Sequence, residues 1–422
     1  MLRPFLVAAA LLIVSCSAPS VVQVAMQGDL STLKQEIRAS QAEGELDRAV
    51  VRRLAWAVAG REARSAKGEA AVRRIRQLSP CAGDLVTVLR DRAGRSDDGG
   101  AEASLLLLET HRLDGASLVT RYRDASSGAW RAVAARAATA PSQAQLRRAL
   151  IADHDERVRR AALRAALSAP HVDDLAAVLE ATRLDPDPLS RSLAARAAGA
   201  IGGERVALAL RDYWARADEA TRMMIVDGWS MPATLDAGGR ESLVWAAETE
   251  QGLPALTAAA ALVRTGGASA DVGTAVLFRA LREGTQQERR LAIRLAPLSD
   301  SELRTEMKRA SHDSDPLVRV MALARLVDDP AQRPTIIEQL RKLARRRGGV
   351  AVQARAALAA AGDASVVEQL VEQLEKGNSH RRRLAAQSLL RLGLYDRAAT
   401  ALADDDPAVR TAVACSVLSS AH

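Results

Sequence analysis

A repeat of about 31 residues constrains this chain more than any other feature. DPLVRVMALARL from Asp315, DPAVRTAVACSVL from Asp406, DPLSRSLAARAAGAI from Asp187 and DERVRRAALRAAL from Asp155 are copies of one pattern, and weaker copies begin at Gly128, Gln286, Gly349 and His380. Each copy is anchored on the residue three before a core Ala or its substitute. The anchors are Arg131, Arg159, Arg191, Arg222, Leu256, Arg289, Arg319, Gln353, Arg382 and Arg410, spaced 28 to 34 residues apart. A sustained period of this length marks an array in which one supersecondary unit stacks on the next.

The unit reads as a helix pair. Asp followed by Pro starts a helix, because the carboxylate caps free amides and the proline sits where its missing N–H costs nothing. Apolar residues then recur at three and four, as with Val318, Met321, Ala322 and Leu326, giving one buried stripe. A second helix follows a short break. The stretch 363–377 is the clearest example: it starts at an acidic cap, buries Val366, Val367, Leu370, Val371 and Leu374, and ends on Lys376-Gly377. Aromatics are only 2% of the chain, so its core is built from small aliphatic residues, which suit close helix packing better than stacked sheets. The expected fold is all-α, an α-solenoid of stacked antiparallel helix pairs. Ten pairs at 8–10 Å each predict a rod on the order of 100 Å long.

The pattern resembles HEAT repeats, in particular the short bacterial kind known from phycobilin lyases, over roughly residues 100 to 418. The resemblance implies that first-helix arginines pair with acidic groups of a neighbouring repeat, a structural role expected here for Arg159, Arg319, Arg382 and Arg410. Residues 23–100 are helical but out of phase and are expected to form an N-terminal cap, ahead of the array at 101–422. Within them, GRSDDGGAE from Gly94 reads as a flexible junction. The last copy stops after a first helix, which either caps the array or pairs with something.

The beginning of the chain carries a separate message. Arg3 followed by the apolar stretch Phe5 to Val14 has the parts of an export signal. Ile13-Val14-Ser15-Cys16 resembles the bacterial lipobox, which implies cleavage of 1–15 and acylation of Cys16. Residues 16–22 would then form a tether. An ordinary signal cut after Ala18 would place Pro19 next to the cleaved bond, a poor protease substrate. An uncleaved anchor would have too short an apolar stretch. Ser17, in place of the aspartate that retains such lipoproteins at the inner membrane, points by the same resemblance to the outer membrane facing the periplasm. With Cys16 acylated, Cys81 and Cys415 stand 334 positions apart near opposite ends of the array, and two unpaired thiols are expected.

Signs of catalysis are sparse. None of the six histidines falls in a metal-ligand spacing, no His-Glu pair of the kind used by HEAT-like iron hydroxylases occurs, and no phosphate loop or nucleophile elbow is present. The reading assigns no enzyme activity, no metal and no cofactor. A bilin-lyase-like enzyme is the least favoured alternative, and an export signal argues against nucleic acid as a partner. Formal charge is +8, and all but five of the 59 basic residues are arginine. Two sets of residues are candidate surfaces. Tyr213, Trp214, Trp229 and Trp245 either present an aromatic patch to a partner or fill gaps where the repeat is poorest; Glu368, Glu372 and Gln373 would line a concave face of second helices. Arg341, Lys342, Arg345, Arg346 and Arg347, with Lys376 one period on and Arg381 to Arg383 at the next helix start as further candidates, either face water or hold anionic groups. The expected function is a lipid-anchored, non-catalytic scaffold or adaptor binding another envelope protein. The alternative is an envelope binder of anionic glycan or lipid.

Overall fold

A computed structural model describes residues 20–27 and 29–420. The expected export leader and Cys16 lie outside the described residues. The described chain is helical throughout, with no strand among those residues.

The helices start where the caps predict. Asp155, Asp187, Asp315 and Asp406 each accept a backbone N–H from the first turn of the helix that follows, and Pro188, Pro316 and Pro407 occupy first-turn positions. In 363–377 a tight turn, Ala364–Val366, leads into the helix Val367–Lys376. Its Val366, Leu370 and Leu374 are buried, while Val367 and Val371 are half-buried. The expected flexible junction at Gly94 is instead a helix start. Asp97 accepts the Gly100 N–H and grips the fully buried Arg92 at 2.6 and 2.9 Å. Glycine is required at the capped position itself, because a Cβ on Gly100 would stand 1.9 Å from the Arg95 backbone carbonyl oxygen.

Fourteen helices describe the path. In the N-terminal region α1 is Leu30–Ala42, α2 Arg48–Ser65, α3 Gly68–Gln77 and α4 Asp98–Glu109. The first helices of the repeats are α5 (Gly128–Ala137), α6 (Glu156–Ser168), α7 (Pro188–Ile201), α8 (Glu219–Trp229) and α9 (Gly252–Thr265). They continue as α10 (Gln286–Leu295), α11 (Pro316–Leu326), α12 (Gly349–Ala360), α13 (Ser379–Arg391) and α14 (Pro407–Ser419). Each of α4 to α14 packs on the next, and α14 then packs on α2 and α3, with α3 against α4. The succession returns to its start.

This closure overturns two expectations. The chain is not an open rod, and 23–100 does not cap a free end: α2 and α3 cover the exposed side of α14, answering what the terminal half-repeat pairs with. Nor are Cys81 and Cys415 unpaired. Their Cα atoms are 4.9 Å apart and they form a disulfide. Distance along the chain says nothing about distance in space once the ends meet. The same seam holds Arg410, whose guanidinium donates to Glu62 at 2.9 and 2.5 Å, and Lys34, 2.6 Å from Asp405.

First helices form the inner wall of the arc from α4 to α6. Arg157 and Arg164 of α6 reach past α5 to Asp98 and Glu109 of α4, at 3.2 and 4.0 Å. Side chains on second-neighbour helices can meet only on the inside of a curve, and here they do so over Ala129 and Ala132 of α5, in a groove of about 290 Å³. Second helices pack on one another less consistently: Ala270–Glu283 packs on Ser301–Ala310, whereas Arg333–Ala344 and Val367–Lys376 do not pack closely. Along the α4–α6 arc the first helices, and not the second helices as expected, line the inner side.

Candidate binding surface

The repeat anchors build a ladder of ion pairs. Arg131 donates to Asp153 (2.9 Å), Arg159 to Asp185 (2.8 Å), Arg191 to Asp218 (2.7 Å) and Arg382 to Asp404 (2.7 Å), while Arg289 stands 2.8 Å from Asp313. A second nitrogen of each guanidinium donates to a carbonyl of the turn that precedes its own helix, as Arg159 does to Asp153 and Arg382 to Gly377. One side chain thus pins its own turn and the next. Arg410 carries the ladder across the seam onto Glu62.

The acceptors follow a rule that the sequence displays but that was not read from it: Asp153-His154-Asp155, Asp185-Pro186-Asp187, Asp313-Ser314-Asp315 and Asp404-Asp405-Asp406 share the form Asp-x-Asp. The first aspartate takes the preceding repeat's arginine and accepts the second one's backbone N–H, at 2.8 to 2.9 Å; the second caps the helix. The carboxyls respond. Arg160's hydrogen bond, reinforced by Ser190, holds Asp187 well below the ordinary aspartate range against the opposing effect of burial. Burial alone would raise Asp153 and Asp218, but hydrogen bonds from Arg131 and Arg191 bring both down.

The candidate aromatic surface dissolves into the core. Tyr213, Trp214 and Trp229 are buried because the irregular segment 230–239, with non-helical backbone at Ala237 and Gly238, leaves space that only large rings fill. Trp214 stacks on Trp229 with centroids 5.2 Å apart and donates to Glu250, while Trp229 donates to the Ala207 carbonyl. Trp245 is half-buried, edge-on to Trp214, with Arg211 4.8 Å above its ring. Gln373 is also buried: its amide donates to the Arg381 carbonyl and accepts from Arg355. Glu368 and Glu372 remain exposed, on a second helix.

The basic candidates divide. Arg341 is paired with Asp363 (2.7 Å) and Lys342 with Glu338 (2.8 Å). Arg345, Arg346 and Arg347 are exposed, with no ion pair among the described residues. Arg346, Arg347 and Lys376 do share one groove, as the period predicts, Arg381 joins them, and sequence reasoning missed one further member, Arg355. Among the described residues no cluster of His, Cys, Asp and Glu could hold a metal ion. His154 lies within 3.2 Å of Arg131 in a solvated turn.

No protein-family profile matches the chain, and no curated protein matches it either.

Proposed function

We propose that this protein is an exported bacterial lipoprotein, acylated at Cys16, whose body is a HEAT-like solenoid closed into a ring. It acts as a non-catalytic scaffold or adaptor for another envelope protein at the periplasmic face of the outer membrane. One observation carries the reading: the Cys81–Cys415 disulfide locks the ring at its seam. Disulfides form and persist in oxidising compartments such as the periplasm, so this bond agrees with a leader that directs export. Two or more acyl chains hold a protein at a membrane stably, and the first described helix begins five residues after Cys16, at Val21. A rigid ring with an inner wall of charged and small side chains offers broad surfaces for gripping a partner.

Cross-linking and mass spectrometry on intact envelopes test this reading. It requires an N-terminal peptide beginning at acylated Cys16 and reproducible cross-links from the ring to one envelope protein. A chain that retains residues 1–15 and gives only self-cross-links would overturn it.

A further inference from the structure

Apart from the repeat anchored at Leu256, which has no arginine at that position, the ladder fails over two consecutive repeats. Arg319 makes no ion pair among the described residues, and its Nε is buried without a hydrogen-bond partner. The turn where other repeats supply an aspartate reads Arg345-Arg346-Arg347-Gly348-Gly349. In the next repeat the anchor is Gln353 instead of arginine, and the following turn, Gly377-Asn378, has no Asp-x-Asp. Positive charge gathers where carboxylates are missing. Arg346, Arg347, Arg355, Lys376 and Arg381 line one groove of about 300 Å³ between α12, the Val367–Lys376 helix and the start of α13. Its one carboxylate, Glu372, is paired with Lys376 at 3.3 Å.

Arg355 is the informative member. It is half-buried, and its bonds go only to the neutral Ala344 carbonyl and the Gln373 amide oxygen. Burial, aided by Arg381 and opposed by Glu372, pulls its pKa down. The fully shielded guanidiniums of Arg92, Arg147 and Arg410 face carboxylates, whereas the half-buried Arg136 and Arg325, like Arg355, bond to neutral oxygens. What sets Arg355 apart is that it shares one groove with four other cations. A charge withdrawn from water without a counter-charge is costly, and a bound anion removes that cost. Guanidinium forks match the paired oxygens of phosphate, and four surplus positive charges suit a dianion better than a single carboxylate.

We infer that this groove is a binding site for a phosphate monoester, held by Arg346, Arg347, Arg355 and Arg381 with Lys376 at the rim. The site is independent of the scaffold reading.

The full mature chain, its disulfide intact, is to be titrated calorimetrically at constant ionic strength. The probes are inorganic phosphate, glycerol 3-phosphate and a short-chain phosphatidic acid below its micellar concentration. Saturable one-site binding is expected, weakened on the order of tenfold or more in R346Q/R347Q/R381Q and unchanged in R341Q. The three altered side chains are exposed, so the variant should keep the parent's helical circular dichroism. Tighter binding of the lipid than of glycerol 3-phosphate would identify a membrane headgroup as the source; equal binding would identify a soluble ester. Either upholds the site. Absence of saturable binding by all three probes, or binding that the triple variant retains in full, overturns it.

Discussion

Arg410 shows how much one side chain can carry. It is 4% exposed and Glu62, its partner across the seam, 1%; Arg74 adds a third charge 2.9 Å from the other Glu62 oxygen. Removing one member of a buried pair strands the other, a loss of about 3–5 kcal/mol, whereas exposed pairs contribute about 0–1 kcal/mol. Arg410→Ala should therefore lower the urea midpoint sharply, and Arg73→Gln, which breaks the exposed pair with Glu69, should barely move it. Equal shifts would contradict the seam as drawn. Ladder acceptors and helix-capping aspartates together set a pH response. Asp153, Asp187, Asp218, Asp315 and Asp406 all titrate lower in the folded chain than the ordinary 3.8. For depressed carboxyls, stability is fully present above the unfolded value and is lost as pH falls through the folded values. The melting temperature should hold from pH 7 to about 5 and fall steadily below about 4. A chain that becomes more stable on acidification from pH 5 to 3 would refute the ladder.

Between helices, the tightest constraint is the crossing of α7 and α8. A Cβ on Gly199 would lie 2.3 Å from the Gly228 Cα, so the two backbones meet with no room for a side chain. Gly199→Ala must push the helices apart and should cost about 1–3 kcal/mol or more. Gly349, the first residue of α12, has open space around it, and Gly349→Ala should be neutral or stabilising by up to about 1 kcal/mol. Comparing the two midpoints separates helix propensity from packing. At this scale the sequence was a good guide. Asp-Pro starts, stripes such as Val318, Ala322 and Leu326, and the split of each repeat into two helices are local, and local chemistry decides them. The Gly94 junction misled because its glycines and aspartates carry the composition of a loop. Only the buried Arg92 shows that they serve packing and capping.

At the scale of the molecule, the repeat implied a succession of neighbours but not where the succession ends. Period and pattern are blind to the small rotation each pair adds, and that rotation decides between a rod and a ring. The same blindness hid which helices face inward and whether Trp214 and Trp229 were surface or filler. The basic groove was largely legible: Arg346, Arg347 and Lys376 follow from the period and Arg381 from the helix start beside them, whereas Arg355 needed the fold. Closure has an energetic consequence. A bond spanning 334 positions removes more chain entropy from the unfolded state than a short loop would, up to about 5 kcal/mol. Cys415→Ser should lower the melting temperature while leaving the helical circular dichroism intact. The central claim, that the first and last helices of this chain meet, is tested most directly by peptide mapping of the unreduced monomer. The account predicts one intramolecular disulfide-linked pair of peptides, containing Cys81 and Cys415. Recovery of both cysteines as free, alkylatable thiols in the folded protein would contradict it.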